Sequence, residues 1–205
     1  LPTVPLLPYR NQVGGHSPIL RFSDKAICKP LVERERQFYE SVDAIRPALS
    51  RFLPSYLGIK HPNEDPNVHQ FILLEDLTNG LRRPCILDLK MGTRQHGIDA
   101  TEAKRRNKIK KCAMTTSKSL GVRMCGMQVY KTQKSRFLFQ DKYYGRSLND
   151  KTFKRSLLEY LDNGEEIVVH HIPTLLRKLI DLYRLVMSIH GFRFYASSLL
   201  IVYDG

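Results

Sequence analysis

The chain has 205 residues, with 33 Lys plus Arg against 20 Asp plus Glu and a formal charge of +13 at neutral pH. Its 42% hydrophobic and 9% aromatic content is enough for a buried core, which excludes wholesale disorder and low-complexity repetition. No apolar run approaches the roughly 18 residues of a spanning helix, and Leu1 to Pro8 lack the basic start of a signal peptide, so a soluble protein of one or two lobes without a membrane partner is expected.

In chain order, Leu20-Arg21-Phe22 and Ala26-Ile27-Cys28-Lys29 read as short antiparallel strands around the turn Ser23-Asp24-Lys25. From Leu31 to Leu49 the apolar residues Leu31, Phe38, Val42, Ile45 and Leu49 keep helical spacing, and Pro47 ends or kinks that helix. Leu57-Gly58-Ile59 and Phe71-Ile72-Leu73-Leu74 read as strands joined by a solvent loop over His61 to Asn67. A turn-rich connector, Glu75 to Gly80, marks the boundary between a first lobe, 1–80, and a second, 81–205. In the second lobe Cys85 to Leu89 resembles a buried strand carrying one carboxylate, and Gly121 to Tyr130 with Arg136 to Tyr143 resembles a hairpin. Pro173 to His190 has a wide apolar face suited to a core helix. Phe192 to Tyr195 and Ser197 to Tyr203 form the last strand region.

The four cysteines, at 28, 85, 112 and 125, show neither CxxC nor Cys/His spacing for a metal. They are expected to be reduced core thiols, as in a cytoplasmic or nuclear protein.

Charge is unevenly spread. Residues 1–80 hold 9 basic and 9 acidic side chains, whereas 81–205 hold 24 and 11. Within the second part, Lys104 to Ser119 contains seven basic residues and no acidic one, a field that attracts a polyanion. Wound as a helix at about 100° per residue, Lys104, Asn107, Lys108 and Lys111 share roughly 100° of arc, with Ile109, Cys112 and Ala113 on another side. A merely solvated face would interleave acidic residues. Asp88 and Lys90 lie two apart in an apolar strand, so both project from one face, and Gly92 follows where backbone can approach a ligand. Lys29 at a strand end, with Glu33 and Glu35 on the next helix, repeats the arrangement by which nucleotide kinases hold a phosphate-binding Lys.

Pro84-Cys85-Ile86-Leu87-Asp88-Leu89-Lys90-Met91-Gly92 matches the PxxxDxKxG signature of the inositol polyphosphate kinase family, and Ser197-Ser198-Leu199-Leu200 matches its SSLL signature. Gly92 to Gly97 and Gly121 to Tyr130 resemble the inositol hexakisphosphate kinase branch, and the similarity runs from Asn11 to Gly205, with the fungal enzymes the nearest flavour.

This resemblance implies an α+β, two-lobed inositol polyphosphate kinase fold, protein-kinase-like or ATP-grasp-like, with antiparallel sheets and helices and with ATP between the lobes. It assigns ATP binding to Lys29, Glu35, Glu75, Asp76, Leu77 and Asp88, with Glu75 and Leu77 offering hinge backbone groups to adenine. It assigns the chemistry to Asp88, Lys90 and Lys29. It gives the inositol phosphate to Lys90, Arg94, Lys104, Asn107, Lys108 and Lys111. The cofactors implied are ATP and Mg2+. The family's Ile-Asp-Phe signature, whose Asp ligates magnesium, is expected beyond Gly205, so the chain reads as C-terminally truncated and its metal ligand stays unassigned.

The function implied is ATP-dependent conversion of inositol hexakisphosphate to a diphosphoinositol polyphosphate by a monomer. The alternatives are a multikinase acting on less phosphorylated inositols and a non-catalytic inositol-phosphate-binding module. A nucleic-acid module is disfavoured because no aromatic residues interleave with the basic run.

Overall fold

The computed structural model describes residues 6–15, 17–60 and 70–205. The loop expected over His61 to Asn67 therefore lies outside the described residues. The chain divides into two compact units, the first running to Gly80 and adding Leu176–Ile189, the second comprising Leu81–Leu175 and His190–Gly205.

The first unit carries a five-stranded antiparallel sheet of β1 (Leu7–Pro8), β2 (Leu20–Arg21), β3 (Ala26–Pro30), β4 (Tyr56–Lys60) and β5 (Phe71–Glu75), in the order β1-β2-β3-β5-β4. Helix α1 (Glu33–Ile45) follows β3. Glu33 and Glu35 lie in its first turn, where carboxylates suit the positive end of the helix dipole. Pro47 has no N–H to continue it and instead opens the short α2 (Pro47–Ser50). The core gathers Tyr39, Ile72 and Leu74, with Ile27, Leu31, Phe38, Leu53 and Tyr56 packed around them.

The second unit is built on a four-stranded antiparallel sheet of β6 (Pro84–Met91), β7 (Val122–Lys131), β8 (Arg136–Gln140) and β9 (Ser198–Asp204), in the order β8-β7-β6-β9. Strand β6 is central, and its near-continuous apolar run is buried from Pro84 to Leu89. Around the sheet stand α3 (Glu102–Ala113), α4 (Thr116–Leu120), α5 (Lys142–Ser147) and α6 (Asp150–Leu161). Helix α6 supplies Phe153 and Tyr160 to a core with Cys85, Leu87, Leu89, Met124, Met127, Val129 and Leu148. The Tyr160 hydroxyl satisfies the carbonyls of Cys85 (3.1 Å) and Ile201 (2.9 Å). Helix α7 (Ile172–Ser188) runs from the second unit's residues into the first's.

Several expectations are corrected. The strand anticipated over Arg136 to Tyr143 stops at Gln140, because the Asp141 carboxylate accepts from the N–H groups of Tyr143 and Tyr144 and caps α5. The last strand begins only at Ser198. Helix α7 is not a core helix: Leu175, Leu179, Leu182 and Leu185 are half-buried, whereas Leu176, Ile180, Tyr183, Val186 and Met187 are exposed. Helix α6, unanticipated, starts on a capping box in which Asn149 accepts from the Thr152 N–H and Thr152 Oγ1 from the Asn149 N–H.

Candidate active site

In the first unit, β3 carries Lys29 next to its last residue, and the Lys29 Nζ meets Glu35 Oε1 of α1 at 2.6 Å, both side chains half-buried. Glu33 turns the other way and accepts from Arg36 (2.5 Å) and Gln37 (2.8 Å). The connector after β5 is tightly organised. Asp76 Oδ1 accepts from Tyr9 OH (2.6 Å), Thr78 N (2.8 Å) and Thr78 Oγ1 (2.7 Å), so this buried carboxylate is committed to the turn. Burial and the adjoining Asp76 push the Tyr9 hydroxyl well above its ordinary pKa, which keeps it a donor. The Glu75 carboxylate accepts from Ser55 N and Oγ at 3.0 and 2.7 Å, and these bonds hold its pKa down. Leu77 is exposed, and among the described residues its N–H and C=O take no part in the hydrogen bonds. Its backbone groups are open to a ligand.

In the second unit, the alternation of β6 puts Asp88 and Lys90 on one face, opposite Leu200 and Ser198 of β9. Asp88 is only 8% exposed, and its Oδ1 has no partner among the described residues. Burial raises its pKa; the Ser198 hydroxyl, Lys90 and Arg123 pull it back. A buried, unpartnered acceptor is costly and implies a missing donor or cation. Lys90 Nζ donates to the Ala196 carbonyl at 2.9 Å, and Ala196 adopts a left-handed φ of +58°. The neighbouring Tyr195 ring lies 4.7 Å from the Arg94 guanidinium. Two successive residues before β9 thus steady Lys90 of the first signature and Arg94 of the loop that follows it.

The register of β6 on β7 slips between Asp88, opposite Gly126, and Leu89, opposite Met124, which makes Cys125 the extra residue of a β-bulge. Burial and the nearby Asp88 push the Cys125 thiol's pKa up. All four cysteines are free, and Cys28, Cys85 and Cys112 are buried.

Beside the bulge lies a constellation that sequence reasoning missed. Arg123, 5% exposed, donates from Nη1 to Gln95 Oε1 at 2.6 Å and to Ser117 Oγ at 3.1 Å. Gln95 Nε2 in turn donates to the Gly92 carbonyl (3.0 Å) and to Ser117 Oγ (3.1 Å). This network fixes the 92–97 loop and buries a cation whose hydrogen-bond partners here are neutral. The available signal was a charged residue inside an apolar strand, the same signal that picked out Asp88.

Helix α3 starts where Thr101 caps it, accepting from the Lys104 N–H, and ends with Lys110 and Lys111 in its last turn, each favourable to the helix dipole. Of the packing face expected for it, only Cys112 is buried; Ile109 and Ala113 are exposed. On the cationic face Lys104 and Asn107 are exposed, and Lys108 and Lys111 half-buried. The Lys108 pKa is lowered by burial and then by Lys111, Lys90, Arg123 and Lys104. That of Lys111 is lowered by burial and then by Arg146 and Arg123, with Lys142 a smaller contributor. Helix and sheet therefore converge on one strongly positive locality beside Asp88. Among the described residues no three His, Cys, Asp or Glu side chains cluster as a metal site.

A family profile described as inositol polyphosphate kinase matches residues 71–205. The chain belongs to the inositol polyphosphate kinase family. The matched stretch contains the whole Asp88 and Lys90 strand, α3 and β9, so this kinase domain carries its positive locality inside the family's own region. Human inositol hexakisphosphate kinase 3 is 30% identical over an alignment of 320 residues, covering 98% of this chain and 77% of that protein. An uncharacterized inositol polyphosphate kinase of Schizosaccharomyces pombe is 50% identical over 145 residues, 67% of this chain, but the match spans only 15% of that larger protein. Among solved structures, the S. cerevisiae inositol phosphate multikinase Ipk2, in complex with ADP and Mn2+, superposes with a TM-score of 0.77 at 30% identity, covering 88% of this chain and 75% of that one. These likenesses agree with the α+β architecture of antiparallel sheets and helices found here.

Proposed function

We propose that this protein transfers the γ-phosphoryl group of ATP to inositol hexakisphosphate, forming a diphosphoinositol polyphosphate and ADP. The observation that carries the reading is the convergence of Lys90, Lys104, Lys108, Lys111 and Arg123 beside the buried Asp88, in a chain similar to hexakisphosphate kinases. In this reading Lys29, held by Glu35, receives the nucleotide phosphates, and Leu77 offers backbone groups to the base. Lys90 and the α3 lysines hold the acceptor.

A phosphate acceptor has a second pKa near 6, so at neutral pH its oxygen is already largely deprotonated. The new P–O bond forms from that oxygen as the bond to the ADP leaving group breaks, and little general-base help is needed. Catalysis then rests on positioning and charge neutralisation. Asp88 orients Lys90 and the nucleotide, and acts as a base only toward a hydroxyl acceptor. A divalent cation, when bound, neutralises phosphate charge. Asp88 Oδ1, buried and without a partner among the described residues, would be one of the oxygen atoms that hold it.

The deciding experiment incubates the protein with ATP, magnesium and inositol hexakisphosphate and looks for a pyrophosphate by phosphorus NMR. Its appearance supports the reading. The likeness to a multikinase favours a second reading, transfer to a hydroxyl of a less phosphorylated inositol. Product from an inositol with a free hydroxyl, and none from the hexakisphosphate, would select it.

The lowered Lys108 pKa gives a pH prediction. Below that pKa the ammonium is charged and binds anions fully; as pH rises through it, the free protein loses the proton and binding must take one up. Affinity for inositol hexakisphosphate therefore falls on the alkaline side, where the ligand's phosphates are already ionised. Lys108→Arg, which stays charged, flattens that fall. Calorimetry in two buffers of different ionisation enthalpy reads the proton uptake, and equal slopes for the two proteins would count against the assignment.

A further inference from the structure

The positive locality does not end with α3. Lys111, the last residue of the cationic face, lies among Arg123 of β7 and Arg146 and Lys142 of α5. Helix α5 reaches this position because Gly145 rests directly on the β7 backbone: a Cβ there would lie 2.1 Å from the Met124 carbonyl oxygen. Met124 directly follows Arg123 in β7, so the contact seats α5 beside the bulge.

Lys142 and Arg146 are one helical turn apart and hold a single ring between them. The Tyr143 ring, 65% exposed, has Lys142 Nζ at 5.5 Å and Arg146 Cζ at 5.4 Å from its centroid. Each cation is attracted to the ring, but as like charges at i and i+4 the two repel each other. The nearby acids are committed elsewhere: Asp141 caps α5, and Asp150 accepts from Ser119 Oγ at 2.5 Å. Among the described residues none of Lys111, Arg123, Lys142 and Arg146 meets a carboxylate at ion-pair distance.

We infer that Lys142 and Arg146 form a second phosphate subsite at the far end of the α3 face, taking a ring phosphate remote from the one that reacts at Lys90. Arg123, buried beneath, supplies a fixed positive background between the two ends. The inference rests on the polyphosphate-acceptor reading above and deepens it. Six phosphates at roughly −1.5 to −2 each carry about −9 to −12, far more than Lys90 and the three α3 lysines balance. Extending the track to Lys142 and Arg146 adds two cations toward that charge, so a fully phosphorylated ring gains more from the far subsite than a ring with fewer phosphates. The device thus selects for phosphate number.

The test is direct calorimetric binding of inositol hexakisphosphate and of an inositol trisphosphate to the whole chain. Wild type is compared with the double variant Lys142→Ala/Arg146→Ala and with the milder Arg146→Gln, each checked by thermal melting. Loss of charge-assisted contacts predicts hexakisphosphate binding weaker by roughly tenfold or more, a smaller change for the trisphosphate, an unchanged affinity for ADP, and recovery in Arg146→Lys. Lys154→Ala, an exposed charge on α6 outside the track, serves as control. Hexakisphosphate binding like wild type in both variants overturns the inference. So does an equal loss in Lys154→Ala, which would mean a general field only. Because binding is read separately from turnover, a wild type that binds the hexakisphosphate yet phosphorylates only a less phosphorylated ring would overturn the proposed reaction, while the affinity ratio still decides the subsite.

Discussion

Asp88→Asn is expected to reduce phosphorylation of an inositol bearing a free hydroxyl by roughly a hundredfold or more, the usual contribution of a general base, and that of inositol hexakisphosphate by a smaller factor. The reason is in the acceptors: a hydroxyl must lose its proton during attack, whereas an ionised phosphate oxygen need not. Folding should not suffer. Burial raises the Asp88 pKa, and a group whose folded pKa lies above its unfolded value stabilises most below the unfolded pKa and loses that contribution as pH rises through the folded one. Ionising Asp88 is therefore a cost to the fold above that pKa, and the neutral Asn variant should melt no lower than wild type there. A lower melting temperature would mean that the carboxylate is held by a structural partner, and equal fractional losses on the two acceptors would remove the base from the mechanism. The same shift places the acid limb of hydroxyl-acceptor turnover above the ordinary carboxylate range. Arg123→Gln, by removing one of the charges that hold the pKa down, should move that limb higher still.

The chemistry-bearing residues of β6 were legible because they violate the pattern around them. A carboxylate and an ammonium two apart in an apolar run project from one side of a strand, and β6 is the central strand of its sheet. The cationic face of α3 was legible through helical spacing and the lack of acids. Its surroundings were not. Arg123, Gln95 and Ser117 are separated by up to 28 residues and meet only because α4 and the 92–97 loop close on β7. Tyr195 and Ala196 hold Arg94 and Lys90 across a separation of about a hundred residues, which no local spacing encodes.

The same distinction separates the elements. The β3 to α1 segment follows from apolar period and a proline stop. In α7 the period is equally strong, yet among the described residues its apolar side is wider than the surface that covers it, so Leu176, Ile180 and Tyr183 are exposed. Periodicity reports that a face is apolar, not that something is there to cover it. Helix α6 escaped notice because its buried side alternates apolar and polar residues, Phe153, Ser156 and Tyr160, with the Ser156 hydroxyl satisfied by the Phe153 carbonyl at 2.8 Å.

Gly145 carries the other large expected effect. It sits inside α5, and an added Cβ would lie 2.1, 2.8 and 3.1 Å from the O, C and Cβ atoms of Met124. The first two are backbone atoms of a strand paired there with Leu89 of β6, and Met124 itself is fully buried, so no flexible side chain end can yield. Gly145→Ala, favourable in an open helix, must here push α5 off the sheet. Overpacking of this kind costs about 1–3 kcal/mol or more, which for a chain of this size lowers Tm by roughly 2–12 °C. The displacement also carries Lys142 and Arg146 away from Lys111. Affinity for inositol hexakisphosphate should therefore fall at temperatures well below the lowered Tm, while ADP binding, which the proposed function assigns to residues outside α5, is retained. If Gly145→Ala melted like wild type, the close approach of α5 to β7 would be disproved. If it melted early but bound the hexakisphosphate normally, α5 would be a structural prop with no part in anion recognition.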